Sequence, residues 1–264
     1  MLRYQLTASQ KEEFYALFKT VTDDYQSMSA PELQIPLQQK IAEISGVYDF
    51  YASEKCTSNS LALSLVHYWK EAVSCSDNSF DIAARLAIAG NIMDYGANDT
   101  FNLQHTIEKI MHSDLAIDAG KCLQEKISTA KSILYLGDNA GEIVFDKLFI
   151  ETMNHPNVIF VTRGGPTIND VTAKDAYVAG MDKVAKVISS GLAAPSTLLS
   201  HSSEEFLTYY NDADLIISKG QGNLEGLIDE KDPRIFFMLM AKCDVMAERL
   251  GVKKDEFVIY NESC

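Results

Sequence analysis

The first 130 residues carry apolar side chains at intervals of three and four, the spacing that gathers them on one face of an α-helix. Ser58 is a candidate cap for the third helix that this pattern predicts, and Gly96 suits the left-handed residue that ends the fourth. The predicted helices are Glu12–Asp24, Pro31–Gly46, Leu61–Val73, Phe80–Tyr95 and Asp114–Ala130. The first part of the chain is therefore predicted to be helical.

From Ser132 onward, short apolar runs bounded by turn residues alternate with helical stretches, a pattern typical of βα units in a parallel sheet. The predicted strands are Ile133–Leu136, Val158–Val161, Val184–Ile188, Leu215–Ser218, Ile235–Met240 and Phe257–Tyr260. The spacing between them leaves room for crossover helices over Glu142–Met153, Val171–Ala179 and Cys243–Leu250. For the fifth run, 235–240, a helix is the alternative.

These patterns predict an α/β fold with two parts. Residues 1–130 form a helical N-terminal region, and residues 131–264 form a Rossmann-like, three-layer α/β/α domain with a mostly parallel sheet. The length of 264 residues fits one large domain or two closely joined ones. Hydrophobic residues make up 47% of the chain, which excludes a collagen-like, low-complexity or wholly disordered protein.

The charge and the apolar runs of the chain exclude two classes of partner. With 23 Lys and Arg residues against 37 Asp and Glu residues, the formal net charge is −14, so a groove for nucleic-acid phosphates is not expected. The run Ile235–Ala241 is far too short for the ~20 residues of a membrane helix, and the start of the chain lacks a signal-peptide core. We therefore expect no nucleic-acid and no membrane partner, while the sequence predicts no oligomeric state.

The five cysteines indicate a reducing compartment. They are odd in number, widely scattered and never spaced as Cys-x-x-Cys, so we expect free thiols in a cytoplasmic protein, with no disulfide or zinc framework. These residues are Cys56, Cys75, Cys122, Cys243 and Cys264.

Candidate chemistry lies in the loops after the predicted strands, because ligands of open α/β sheets bind beyond the carboxyl ends of the strands. After the first strand, Gly-Asp-Asn-Ala-Gly-Glu places the carboxylate of Asp138 beside the amide of Asn139, two oxygen ligands for a hard cation such as Mg²⁺ or Mn²⁺. The helix that begins at Glu142 directs its N-terminal amides toward an anion. An Asx turn with a helix cap is the alternative.

The next strand-end loops carry cations as well as carboxylates. Arg163 and Asp170 belong to the loop after the second strand, and Lys219 stands at the tip of the fourth, where its ammonium would point into the same crevice. Asp170 taken alone could be only a helix cap. The pattern Gly-x4-Gly-Lys-Ser/Thr is absent, and no Gly-x-Gly-x-x-Gly follows the first strand, which argues against nucleoside triphosphatase and dinucleotide-binding functions.

In the helical part, Asn91 and Asp94 stand three residues apart, hence on one face of the fourth helix. On spacing alone, a helix end with a solvated polar face is the alternative interpretation. The histidines show no metal-ligand spacing, and no serine lies in a nucleophile-elbow sequence.

Five motifs, taken in their order along the chain, carry a resemblance to a known family. They are Ala-Gly-Asn-Ile-Met-Asp-Tyr-Gly, Gly-Asp-Asn-Ala-Gly-Glu, Arg-Gly-Gly-Pro-Thr-Ile-Asn-Asp-Val-Thr, Ser-Lys-Gly-Gln-Gly-Asn-Leu-Glu-Gly-Leu and Ala-Lys-Cys. Over about residues 49–260, the chain resembles the metal-dependent damage-control phosphatases, formerly a domain family of unknown function, and within them the short, stand-alone prokaryotic type. The resemblance implies a helical N-terminal part and a Rossmann-like core that holds one divalent cation.

The resemblance also implies roles for individual residues. It places the metal ligands on Asp138, Asn139 and Asp170. The catalytic candidates are Asp138, Lys219 and Asp94, and the substrate-binding candidates are Asn91, Arg163, Glu142 and Asn223, of which Glu142 and Asn223 support the loops. One departure is the Cys-x-x-Cys pair common near the start of short-type members. It is missing here, so either the pair is absent or the chain begins inside the gene.

The first hypothesis is hydrolysis of a small phosphomonoester, such as a sugar phosphate or a damaged phosphometabolite. A divalent cation, Mn²⁺, Mg²⁺, Co²⁺ or Ni²⁺, would polarise a phosphoryl oxygen and lower the pKa of a bound water. Lys219, with Arg163, would offset the charge of the transition state, and Asp94 would be the general base unless Asp138 attacks directly. The alternatives are an S-adenosylmethionine-dependent carboxyl methyltransferase and a non-catalytic module that binds a metal or a phosphometabolite.

Overall fold

A computed structural model describes residues 6–23, 28–91 and 103–264. Within these ranges the chain has a mixed α/β fold, in which helices cover both faces of a seven-stranded, mostly parallel sheet. The predicted fold class is confirmed.

The first part of the chain is helical, as predicted. Its helices are α1 (Ala8–Asp23), α2 (Ala30–Ser45), α3 (Ala52–Ser74), α4 (Ser79–Gly90) and α5 (Leu103–His112). The Ser29 side chain and Glu32 form a capping box at the start of α2, and Gly46, with a φ of 70°, ends this helix in the left-handed conformation.

The helical part differs from the prediction at Ser58 and at α5, and one predicted helix end lies outside the described residues. Ser58 is not a cap, because α3 begins at Ala52 and the Ser58 hydroxyl donates to the carbonyl of Glu54 inside the helix, at 3.0 Å. The predicted end of the fourth helix, at Tyr95 and Gly96, lies outside the described residues. Helix α5 was not predicted from the sequence.

The segment predicted as a fifth helix over 114–130 divides into two elements. Ile117–Asp118 forms the short strand β1, and α6 begins only at Gly120 and ends at Thr129. The Asp118 carboxylate accepts from the amide of Gly120 at 2.9 Å, which turns the chain between the strand and the helix. The single-helix prediction is therefore wrong at its N-terminal end.

The strands of the second part follow the prediction closely. They are β2 (Ile133–Leu136), β3 (Val158–Thr162), β4 (Lys186–Ser189), β5 (Leu215–Lys219), β6 (Ile235–Met240) and β7 (Phe257–Tyr260). The alternative of a helix over 235–240 is wrong. Strand β4 begins two residues later than expected, because a single turn of 3₁₀ helix over Met181–Lys183 precedes it and Val184 still donates to the Met181 carbonyl.

The sheet has the order β1-β7-β6-β5-β2-β3-β4, with β7 antiparallel to β6 and all other neighbours parallel. Ile133 of β2 lies beside Val158 of β3 on one side and Leu215 of β5 on the other. The chain proceeds outward from β2 through β3 and from β5 through β6, so the strand order reverses between β2 and β5. Such a switch point opens a crevice at the carboxyl ends of the strands.

Helices connect the strands across both faces of the sheet. They are α7 (Glu142–Met153), α8 (Ala173–Ala179), α9 (Glu204–Asp212), α10 (Gly220–Leu227) and α11 (Asp244–Leu250). Because strand side chains alternate, Tyr135 packs with Phe145 and Phe160 in one core layer, whereas Leu134 packs with Phe206 in the other. Helices α4 and α7 lie against each other in the first layer, so the helical part covers this face of the sheet. The division of the chain near residue 130 stays a prediction.

The cysteine prediction is wrong for two residues. Cys122 and Cys264 form a disulfide, whereas Cys56, Cys75 and Cys243 are free. The pairing follows from the sheet: β1 lies beside β7, so helix α6 after β1 and the segment after β7 meet at the same edge. A separation of 142 residues left no local spacing from which this bond could be predicted. Among the described residues, no helix combines the length and apolar character needed to cross a membrane.

Candidate active site at the carboxyl edge of the sheet

The predicted site residues that the structure describes come together beside the switch point between β2 and β5. The loop between β2 and α7 carries Asp138 and Asn139, and the loop between β3 and α8 carries Asp170. Asn139 and Asp170 oppose each other in an isolated antiparallel bridge. Two backbone hydrogen bonds fasten the loops together: Val171 donates to the Asp138 carbonyl at 2.8 Å, and Ala140 donates to the Asn169 carbonyl at 2.9 Å.

The Arg163 guanidinium joins the two acidic residues of these loops. Its Nε donates to Asp170 Oδ2 at 2.6 Å and its Nη2 to Asp138 Oδ1 at 3.2 Å. Its Nη1 donates to Asn223 Oδ1 at 2.7 Å, while Asn223 Nδ2 donates to the carbonyls of Gly137 and Lys219. All four side chains are buried. Asn223 therefore joins Arg163 to the backbone of the loops after β2 and β5, and Arg163 holds both aspartates.

Asn91 reaches the same cluster from the end of α4. Its Nδ2 donates to Asp138 Oδ2 at 2.8 Å and to Glu142 Oε2 at 3.1 Å. Asn139 Nδ2 contacts the same two carboxylates, at 2.8 and 3.0 Å. Glu142 is completely buried. Because its carboxylate accepts from both asparagines, it links the end of α4 to the loop after β2. The other candidate in this motif, Asp94, lies outside the described residues.

Lys219 lies beneath this cluster and is completely buried. Its Nζ donates to Glu142 Oε1 and to Asp146 Oδ1, both at 2.6 Å, and to the carbonyl of Ala87 in α4 at 2.9 Å. Burial lowers the pKa of Lys219, but the negative charges of Asp146 and Glu142 outweigh this effect and raise it above its ordinary value. The ammonium therefore stays charged and is directed at α7 and α4.

The surroundings of Asp138 disfavour its charged form. Burial, followed by the charges of Glu142 and Asp170, raises the pKa of Asp138 well above its ordinary value, and the charges of Arg163 and Lys242 oppose this shift only in part. The site thus has an excess of negative charge around Asp138. An additional cation would relieve this excess.

The backbone leaves little room beside Asp138. Gly220 has a φ of 77°, and a Cβ atom at this position would lie 1.9 Å from Asp138 Oδ2. Glycine is therefore required both for the left-handed conformation and for the close approach of the loop after β5 to the aspartate.

Two residues of this region escaped the sequence analysis. Lys242 follows β6 in the Ala-Lys-Cys motif, and its Nζ donates to the backbone carbonyl of Asn91 at 2.8 Å. Asp146 stands one helical turn after Glu142 and accepts from the Tyr135 hydroxyl at 2.7 Å. The motif could have indicated Lys242, and the four-residue spacing from Glu142 could have indicated Asp146.

The residues present fit a hard divalent cation. The expected ligands Asp138, Asn139 and Asp170 offer carboxylate and amide oxygens, the donors that Mg²⁺ and Mn²⁺ prefer. Asn91 Oδ1 is buried at the same place without a hydrogen-bond partner among the described residues. No group of three or more His, Cys, Asp or Glu side chains suited to a metal occurs in the ranges that the structure describes, so a site here depends on amide oxygens as well.

A cleft of about 150 Å³ opens beside the loop between β3 and α8. Thr167 and Ile168 form one wall, and Tyr48 and Tyr51 contribute aromatic rings from the segment between α2 and α3. Ile168 has a φ of 43°, which is unfavourable for a β-branched residue and marks a strained loop two residues before Asp170.

The fold and this cluster define a Rossmann-like α/β protein with an acidic, oxygen-rich site where its strand order reverses. The chain belongs to the family described as the damage-control phosphatase ARMT1-like domain, whose model matches residues 4–258. The family resemblance noted in the sequence is thereby confirmed.

Individual relatives agree with this assignment. A damage-control phosphatase from Pyrococcus horikoshii is 41% identical over 183 residues, covering 68% of this chain and 64% of the relative. One from Archaeoglobus fulgidus is 32% identical over 91% of this chain and 85% of its own length. An uncharacterized protein from Methanocaldococcus jannaschii is 34% identical over 97% of this chain and 88% of its own length.

A solved structure supports the fold. The crystal structure of a DUF89 family protein from Pyrococcus horikoshii superimposes with a TM-score of 0.87 at 31% sequence identity, covering 98% of this chain and 92% of that chain. The family and the names of the relatives support a phosphatase-type function.

Proposed function

We propose that this protein is a metal-dependent phosphatase that hydrolyses small phosphomonoesters, such as sugar phosphates or damaged phosphometabolites. The observation that carries the proposal is the joining of two acidic strand-end loops, in which Arg163 contacts both Asp138 and Asp170. A phosphoryl group needs positive charge and fixed donors around its oxygens, and this cluster gathers the groups that could supply them.

Asp138, Asn139 and Asp170 would hold one divalent cation, Mn²⁺, Mg²⁺, Co²⁺ or Ni²⁺. Bound there, the cation supplies Lewis-acid polarisation of a phosphoryl oxygen and a lowered pKa for a bound water. The two formal charges of the aspartates match a charge of +2.

The chain's own residues would orient the reaction. Arg163 fixes the two aspartates relative to each other. Lys242, which is partly exposed and held by the Asn91 carbonyl, and the buried Asn91 border the same cluster and would bind phosphoryl oxygens. Lys219 would act through Glu142, which it holds against Asn91 and Asn139. The cleft beside Thr167 offers space for the remainder of a small substrate. A role for Asp94 as the general base stays a prediction.

A cytoplasmic location also stays a prediction. It was based on five free thiols, whereas Cys122 and Cys264 form a disulfide.

The test is phosphate release from a generic aryl phosphate and a panel of sugar phosphates. Protein freed of metal with a chelator is resupplied with each of the four cations in turn. We expect release only with a cation, and a loss of at least ~100-fold in Asp138→Asn and Asp170→Asn, since each variant removes a charged group from the reacting centre.

Asp232→Asn is the matched control, because Asp232 also pairs with an arginine, Arg234, but lies before β6 at the opposite end of the sheet. It should retain wild-type turnover. Metal-independent release, or full activity in either site variant, would refute the proposal. Metal binding without turnover on any substrate would favour a binding module instead.

A further inference from the structure

A second buried polar cluster lies between α3 and the two acidic loops. It consists of Lys55 and Asn59 from α3 and Asp175 from the first turn of α8, which are 2%, 2% and 6% exposed. No sequence motif marks these residues, and none of them belongs to the set expected from the family resemblance.

Asn59 connects α3 to the loop that carries Asp138 and Asn139. Its Oδ1 accepts from the backbone amide of Gly141 at 2.7 Å. Gly141 has a φ of 81° and directly precedes α7, so this bond fixes the point at which the acidic loop enters the helix. The Asn59 amide nitrogen donates to Asp175 Oδ1 at 3.2 Å.

Asp175 and Lys55 extend this connection to the loop that carries Asp170. Asp175 Oδ2 accepts from the backbone amide of Thr172 at 3.0 Å and from its hydroxyl at 2.6 Å, which caps α8 two residues after Asp170. Lys55 Nζ contacts Asp175 Oδ2 at 3.2 Å and Asp49 Oδ2 at 2.9 Å. Helix α3 therefore contacts both acidic loops at the ends where they lead into α7 and α8.

Helix capping alone does not account for this cluster. The bonds between Asp175 and Thr172 would cap α8 without Lys55 or Asn59. Burying charged side chains costs more folding free energy than apolar packing of the same volume. A fully hydrogen-bonded buried network, however, holds its members in one arrangement. The bond from Gly141 to Asn59 also joins elements that are 82 residues apart in the chain. These features fit a device that fixes the distance between two loops.

We propose that Asn59 and Lys55 are positioning residues for the reaction, acting through Gly141 and Asp175. They hold the Asp138–Asn139 loop and the Asp170 loop at the separation at which one cation can contact both. This inference rests on the proposed metal-dependent phosphatase function. Residues that orient metal ligands without touching the metal commonly contribute 10–100-fold to affinity or activity, and we expect an effect of about that size.

The experiment compares Asn59→Ala with Asn261→Ala. Asn261 is also buried, donates to the carbonyls of Pro233 and Ile235 and accepts from the amide of Ser263, but it lies at the amino end of β6, away from the acidic loops. Binding of Mn²⁺ alone is measured by titration calorimetry, phosphate release with saturating Mn²⁺ is measured in parallel, and thermal unfolding records the loss of stability in each variant.

We expect Asn59→Ala to raise the Kd for Mn²⁺ and to lower kcat, each by about tenfold or more. Asn261→Ala should unfold at a similarly reduced temperature while changing both quantities less than about twofold. Lys55→Met should shift the Kd for Mn²⁺ in the same direction as Asn59→Ala. Asn59→Ser, whose shorter side chain cannot span to Gly141 but leaves a smaller cavity, replaces Asn59→Ala if the latter does not fold.

An unchanged Kd for Mn²⁺ and an unchanged kcat in folded Asn59→Ala or Asn59→Ser would overturn the inference. So would failure of both variants to fold while Asn261→Ala folds, because the cluster would then be a requirement of the fold and not of the site. If the wild-type protein neither binds Mn²⁺ nor releases phosphate, the proposed function fails first, and that result is distinguishable from the others.

Discussion

Replacing Asp146 by asparagine would remove a negative charge from a buried cluster in which two carboxylates, Glu142 and Asp146, face the single ammonium of Lys219. Burial raises the pKa of Asp146, the charge of Lys219 opposes the shift and that of Glu142 adds to it, so that the pKa moves from 3.8 to about 7. An asparagine can keep an oxygen for the Tyr135 hydroxyl and the Lys219 ammonium, the two donors that Asp146 Oδ1 now accepts from.

The size and sign of the effect follow from this pKa. Because the folded pKa lies above the unfolded one, the contribution of Asp146 to stability is complete below about pH 4 and is lost as the pH rises through about 7. At about 1.4 kcal/mol per pKa unit, wild type loses about 3 kcal/mol through this group between pH 5 and pH 8. Asp146→Asn does not titrate, so it should gain about 3 kcal/mol relative to wild type over the same interval.

A second effect of the substitution does not depend on pH. Asp146 Oδ2 is buried and has no hydrogen-bond partner among the described residues, so the amide nitrogen that replaces it would be unsatisfied, at a cost of about 1–3 kcal/mol. This cost is the same at both pH values and cancels when the difference between variant and wild type at pH 5 is subtracted from that at pH 8.

The assay is urea unfolding at pH 5 and pH 8 with a chelator present, followed by far-ultraviolet circular dichroism and by the fluorescence of Trp69, the single tryptophan. Lys219 keeps its charge at both values because its pKa is raised. The reasoning is refuted if the stability difference between Asp146→Asn and wild type moves by less than about 1 kcal/mol between the two pH values, or in the opposite direction.

Two further predictions concern a glycine and an ion pair. Gly220→Ala should lower phosphate release at least ~10-fold by displacing Asp138, whereas Gly46→Ala, at a φ of 70° with nothing near its Cβ, should cost only about 1–2 kcal/mol of stability without loss of turnover; equal activities would contradict this. For Asp232, burial would raise the pKa, but the hydrogen bonds from Arg234 lower it, so its contribution is present above about pH 4 and lost on acidification. Asp232→Asn should therefore be less stable than wild type at pH 7, by at most about 1 kcal/mol, and equal to it near pH 2 in thermal unfolding; a deficit that persists in acid would contradict the assignment.

The parts of the fold that could be predicted are those in which one local pattern decides the structure. Strands β2, β3, β5 and β6 are fully buried and each begins with an apolar run, and each was placed to within one residue. The turn residues around them also indicated the edge of the sheet at which Asp138, Arg163 and Asp170 meet. Strand β1, with only two residues, is too short to leave such a pattern.

The features that could not be predicted depend on contacts between residues far apart in the chain. The position of Lys219 at a strand tip was correct, but a sequence does not state that Glu142 and Asp146 of α7, far earlier in the chain, enclose its ammonium. The bond between Asn59 and Gly141 and the disulfide of Cys264 likewise join segments far apart in the chain. Such partners become neighbours only through the packing of α3 and α6 around the sheet.

The contribution of α3 and α4 to the acidic cluster has a consequence for how this protein could be divided or recombined. A fragment that starts at residue 131 would keep β2 to β7 and every aspartate of the expected ligand set, yet it would lack both Asn59 and Asn91. Chimaeras with a relative should therefore exchange the helical part and the loops after β2 and β3 together. Under the proposed function the helices would be a component of the chemistry, and transplanting the sheet alone would transfer the expected ligands without Asn59 and Asn91, which contact their loops.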